Sequence, residues 1–175
     1  FPTRRSSDLQ VNPDYIYLSS LVAMGEFVKF GGTTMFDHHF AFPKSSSKEI
    51  IDREFDAAQE LGVRFHAGRS CFTRGKEKGG LPPEELVETC DETLKDCDRL
   101  IEKYHDPSEF SMRQVVVAPC SPFSVDTEVM VESAKLARAK KVRLHTHLCE
   151  TIDEEKDRKS TRLNSSHHRI AVARL

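Results

Sequence analysis

Residues 126–148 read DTEVMVESAKLARAKKVRLHTHL, and the way this stretch divides decides the fold. Behind Asp126, a favourable N-cap type, Met130, Ala134 and Ala137 fall at helical spacing, and the helical pattern runs to Lys141. VRLHTHL then follows as a short strand with side chains pointing alternately to two faces. The same helix–strand unit recurs upstream. From Asp14 to Phe30 the apolar residues Ile16, Leu18, Leu21, Val22, Met24, Phe27 and Val28 are spaced for a helix, Gly31-Gly32 stop it, and TTMFD follows as a strand. From Lys48 to Leu61 a stripe of Ile50, Ile51, Phe55, Ala58 and Leu61 ends at Gly62 and gives way to VRFHAG. After the GKEKGG loop, Pro82-Pro83 suit a first helical turn, which predicts a helix over 83–104 carrying Leu86, Cys90, Leu94, Cys97 and Ile101, then the strand RQVVVAP.

Apolar strands separated by helices predict a parallel sheet with crossover connections. No GxGxxG follows any strand, which argues against a dinucleotide-binding fold. Polar residues instead gather after each strand: Asp37, His38 and His39; Arg69 and Ser70; Cys120 and Ser121; His147 and Glu150. Chemistry at the carboxyl ends of parallel strands is the habit of the (β/α)8 barrel, which needs about 250 residues. The periodic segment supplies about half of that. The expected fold class is therefore α/β, a partial (β/α)8 TIM barrel, and the chain is expected to be a fragment.

The two ends do not share this rhythm. FPTRRSSDL (residues 1–9) and DRKSTRLNSSH (residues 157–167) match, letter for letter, the translations of two common sequencing-adapter strands. Residues 1–9 and 157–175 are accordingly expected to be adapter-derived artefact, the latter disordered, and 10–156 to be the partial barrel segment. The whole chain carries 26 basic and 28 acidic residues; without the seven basic and two acidic residues of the tails, 19 face 26, a net charge of −7. An acidic segment gives no support to nucleic-acid binding. Neither a signal peptide nor an apolar run long enough to span a membrane is visible, and five cysteines without CxxC spacing fit reduced thiols in the cytoplasm. Cys90 and Cys97, seven residues apart, are expected as small buried hydrophobes.

On the strand over 142–148, His145 and His147 share a face with Arg143, so two imidazoles could chelate a metal or simply line an interior. Glu150, three residues past His147, offers a carboxylate that could carry a proton beside a metal-activated water. His38, His39, Arg69, Ser70, Cys120 and Ser121 could contact a substrate. The bland alternatives are a loop histidine pair, a salt bridge for the arginine and a pocket wall for Cys120-Ser121. His66 and His105 are expected to be structural or exposed, and His167 and His168 to have no role.

HLCE, within LHTHLCETIDEE, resembles the HxxE motif of the amidohydrolase superfamily. GGTTMFDHHFAFP, GGLPPEELVE, CDRLIEKYHD and APCSPFSV are similar to its branch of 8-oxoguanine deaminases and hydroxyatrazine ethylaminohydrolases, and the resemblance covers 10–156. It implies that the four strands are barrel strands two to five, that His147 is the metal ligand of the fifth, that Glu150 shuttles protons, and that His145 is a buried packing or supporting histidine. It implies one divalent ion in the parent, zinc in the first place and iron in the second, and a small-molecule purine or triazine substrate. A homo-oligomeric parent is left open. The implied activity is deamination of an 8-oxoguanine-type purine by metal-activated water; the alternatives are a hydroxytriazine amino- or alkylaminohydrolase and, in another class, a non-catalytic β/α ligand-binding domain. With one ligand of the three or four such a site needs, the chain by itself is expected to be inactive and metal-free.

Overall fold

The computed structural model describes residues 8–148 and 152; Glu150 and the tail residues 1–7 and 157–175 lie outside the described residues. Four parallel strands, β1 (Thr34–His39), β2 (Arg64–Arg69), β3 (Arg113–Val117) and β4 (Arg143–Leu144), stand in the order of the sequence. Helices α1 (Pro13–Lys29), α2 (Ile50–Leu61), α3 (Cys90–Tyr104) and α4 (Thr127–Lys140) precede them one by one. Each strand thus returns to the same end of the sheet, and the loops that follow the strands collect there. No helix among the described residues is long and apolar enough to cross a membrane.

Local chemistry explains the boundaries. Asn12 caps α1, its Oδ1 accepting from the backbone N–H groups of Asp14 and Tyr15 at 3.1 Å, with Pro13 in the first turn where no amide hydrogen is needed. Gly62 ends α2 in the left-handed conformation at φ 66°, which lets its amide and the next close on carbonyls of the last turn. The expected start of α3 at Pro83 is corrected. Pro83 is extended, Glu84–Leu86 form a single 3-10 turn, and Val87 bridges to Phe72. The helix begins only where Thr89 and Glu92 cap each other reciprocally. Thr89→Ala is expected to cost about 1 kcal/mol and to lower the melting midpoint by about 3–5 °C in a thermal scan. Asp126 does occupy the N-cap position of α4, but its carboxylate turns to Lys78 at 3.2 Å rather than to the helix.

The two faces of the sheet differ. Parallel register pairs Phe36 with His66, His38 with Gly68, and Ala67 with Val115, so Phe36, His38, His66, Gly68, Val116 and Arg143 share one face. The other face, with Phe65, Ala67, Val115 and Val117 fully buried, is covered by helices. There Phe55 stacks on Tyr104 at 4.3 Å and meets Phe65 edge-on at 5.3 Å. Helix α1 is covered less completely than its periodicity predicts: Met24 is buried, whereas Leu18 and Val22 are 58% and 68% exposed.

Asp52 knits α2 to α3, accepting from Arg99, Lys103 and the Tyr104 hydroxyl at 2.8–2.9 Å. Burial pushes its carboxyl up, but the three donors outweigh burial and hold it at about 2. A folded-state value below the unfolded one gives stability that is complete above about pH 4 and is lost as pH falls through 2. Solvent reaches Arg99 and Lys103, so the contribution is on the order of 1–2 kcal/mol. Asp52→Asn should flatten the acid limb of an unfolding titration between pH 4 and pH 2; an unchanged limb would refute the coupling.

Candidate functional site

The site grows from the alternation of side chains on β1 and from the continuation of β4. Beyond Leu144 the ladder persists as two single bonds, the amide of His145 to the Val117 carbonyl and that of His147 to the Cys120 carbonyl, both at 2.9 Å. His145 and His147 therefore project from the open face, as the alternation predicts, and their rings lie 5.9 Å apart. His38, on the same face of β1, meets both, with ring centroids at 5.0 Å and 4.3 Å. Nitrogen and sulfur atoms of His38, Cys120 and His147 lie within 4.8 Å of one another. Residues from the ends of three strands converge there.

Hydrogen bonds fix two of these rings. His147 Nδ1 lies 3.0 Å from the Cys120 carbonyl, which can only accept, so the proton sits on Nδ1 and the Nε2 lone pair is left free. This is how metal-binding histidines are usually held. The imidazole thus fits a metal-ligand role on its own geometry. His38 Nε2 lies 2.8 Å from the buried Ser70 hydroxyl, while its Nδ1 is buried without a partner. Burial, with His147, His145 and His39 adding to it, pushes the His38 pKa down to about 3, so the ring is neutral near pH 7 and able to donate at one edge and accept at the other.

The other predicted residues take different places. His39 points to the helix side of β1, its side chain 9% exposed, with Nδ1 2.8 Å from Glu54 and Nε2 3.0 Å from the Ala41 carbonyl. It is separated from His38 by the pleat of the strand itself. Arg69 is fully buried, its guanidinium bound by Glu88, Asp96 and the Ser70 carbonyl and laid over the Phe42 ring at 3.7 Å. Four of its five N–H groups are spent on the protein. The salt-bridge alternative describes this arginine, and a substrate contact does not. Ser121 is buried in the turn after β3, its hydroxyl 3.0 Å from that of Ser124. His145 is exposed rather than buried, and packs on Phe36 at 4.9 Å. His105 accepts the Val115 amide at 3.1 Å, a structural role, and His66 lines the floor of the open face with Phe36, Val116 and Arg143 around a cavity of about 260 Å³. Cys97 is buried as expected, with its thiol pushed up to about 12 by burial, whereas Cys90 is half-buried at the start of α3.

Two participants escaped the sequence reading. Ser70 is expected from the sequence as a candidate substrate contact at a strand end, but its bond to His38 is not foreseen. Glu54, an acid inside the apolar stripe of α2, is buried against His39; an acidic residue four positions from Ile50 and from Ala58 was the available signal.

A family model described as the amidohydrolase family matches residues 3–170. Hydroxydechloroatrazine ethylaminohydrolase of Pseudomonas sp. (strain ADP) is 48% identical over 140 residues, 80% of this chain and 29% of that protein. The 8-oxoguanine deaminase of Pseudomonas aeruginosa is 41% identical over 146 residues, 83% of this chain and 32% of that protein. Among solved structures, a mutant atrazine chlorohydrolase of Arthrobacter aurescens complexed with zinc and atraton is similar at TM-score 0.81 and 34% identity, over 90% of this chain and 36% of that one. The chain thus spans about a third of the length of the curated relatives it matches.

Proposed function

Because this chain belongs to the amidohydrolase family, we propose that it supplies part of the active site of a metal-dependent aminohydrolase that deaminates an 8-oxoguanine-type purine. The observation that carries this reading is the fixed tautomer of His147, whose Nδ1–H is held by the Cys120 carbonyl at 3.0 Å. Its Nε2 would bind the ion, zinc or iron, with the remaining ligands coming from elsewhere in the barrel. The ion supplies the positive charge that makes water a nucleophile near neutral pH. His38, neutral and held by Ser70, stands beside His147 at the strand ends, where a ring nitrogen or exocyclic oxygen of the substrate would meet it. Glu150 moves the proton from the attacking water to the departing nitrogen. Phe36 and His145, their rings inclined at 54° to each other, offer aromatic faces against one of which a planar heterocycle can lie.

The 48% identity to an ethylaminohydrolase acting on a hydroxylated triazine favours a second reading, in which the leaving group is an alkylamine. Both reactions attack an sp2 carbon between ring nitrogens, so His147 and Glu150 serve either. The intact enzyme containing this segment, offered 8-oxoguanine and an ethylamino-hydroxytriazine in parallel, decides between them. Ammonia released from the purine with kcat/KM about tenfold or more above the triazine supports the first reading. Ethylamine from the triazine with the reverse ratio selects the second, and turnover of neither rejects both.

A further inference from the structure

We infer that Asp37, His39 and Glu54 form a second divalent-cation site, on the helix-covered face of the sheet and distinct from the histidines at the strand ends. Asp37 and His39 leave β1 on the side opposite to His38, and Glu54 reaches them from α2. One nitrogen and one carboxylate oxygen from each acid lie within 4.8 Å of one another. His39 Nε2 is tied to the Ala41 carbonyl at 3.0 Å, so its proton is on that side and Nδ1 faces the Glu54 Oε1 atom at 2.8 Å and Asp37 Oδ2 at 3.9 Å. A lone pair and a carboxylate oxygen at that distance require a positive particle between them.

A proton alone does not complete the arrangement. It would join His39 to one oxygen of Glu54 and leave the other, Glu54 Oε2, buried and without a partner in a side chain 3% exposed. Burial, and after it the Asp37 carboxylate within hydrogen-bond reach, push the Glu54 carboxyl up to about 7 against the pull of His39, so that without an ion the two acids must share a second proton. A doubly charged ion balances both acids and takes up the orphaned oxygen. Beside the three groups a cavity of about 210 Å³ opens toward α1, lined by Ser19 and Ser20 as well as by apolar Ile16, Ala23 and Met24, and is large enough for waters to complete a coordination shell. One imidazole with two carboxylates suits zinc or manganese better than calcium or magnesium, which prefer all-oxygen sets.

The test uses the full chain carrying Cys120→Ala and His147→Ala, which break the His38, Cys120 and His147 cluster at the strand ends, so that the outcome is independent of the proposed catalysis. Dialysed against zinc, this protein is expected to retain one ion per chain by inductively coupled plasma analysis and to gain thermal stability with zinc but not with magnesium. Adding Glu54→Gln should abolish both effects. Asp37→Asn, at a side chain 44% exposed and so gentle on folding, should weaken zinc binding with the circular dichroism spectrum unchanged. No retained zinc in the starting protein, or full retention after Asp37→Asn with the fold intact, overturns the site.

Discussion

Arg69→Ala is expected to destabilise the protein by about 3–5 kcal/mol, the cost of leaving buried charges unpaired. The substitution removes a side chain with no solvent exposure and strands Glu88 and Asp96, both nearly buried, each of which accepts from the guanidinium at 2.7–2.8 Å. Burial pushes the Arg69 pKa down, but the bonds from Glu88 and the charge of Asp96 outweigh it, so the arginine stays charged in its pocket. Deleting it also uncovers the Phe42 ring on which it lies. Since the whole stability of such a domain is about 5–15 kcal/mol, urea titration should show the midpoint falling by a large fraction. Removing the acids together with the arginine should cost less than the arginine alone, because no charge is then left over. A midpoint unchanged by Arg69→Ala would mean that the network is open to water.

The second large effect tests the proton-transfer role proposed for Glu150, in the intact enzyme. Glu150→Gln keeps shape and removes the titrating oxygen, so kcat should fall by about 10²–10⁴ while metal content stays at the wild-type level. His147→Ala should behave differently, lowering the bound metal itself, because the fixed Nε2 lone pair is lost. A variant at Glu150 that turns over within a few-fold of wild type would assign proton transfer to another group.

Much of this architecture was legible because period decides it. The stripes of Ile50, Phe55 and Ala58 and of Leu94, Cys97 and Ile101, each followed by a β-branched run, can be little else than helix then parallel strand. The start of α3 was misplaced because Pro82-Pro83 suit an opening turn. The reciprocal pair Thr89 and Glu92, spaced as a capping box, carried the stronger signal. Parity along TMFDHH separates His38 from His39, yet which of the two faces an open cleft depends on where helices pack. The fate of Arg69 was half legible: it shares a face with Phe65 and Ala67, which predicts burial, but its partners Glu88 and Asp96 lie 19 and 27 residues away. The fixed tautomer of His147 was not legible at all, since a main-chain carbonyl supplies it.

That carbonyl has a further consequence. With only Arg143 and Leu144 paired in β4, the aim of the His147 imidazole is set by a clasp belonging to no particular amino acid, the oxygen of residue 120, which holds both the amide and the ring of His147. Exchanging the thiol for another small group should therefore be tolerated. A single inserted residue between Val117 and Cys120 should be ruinous, since it would carry the clasp past its target and turn the ring aside while every chemically active side chain stayed in the gene.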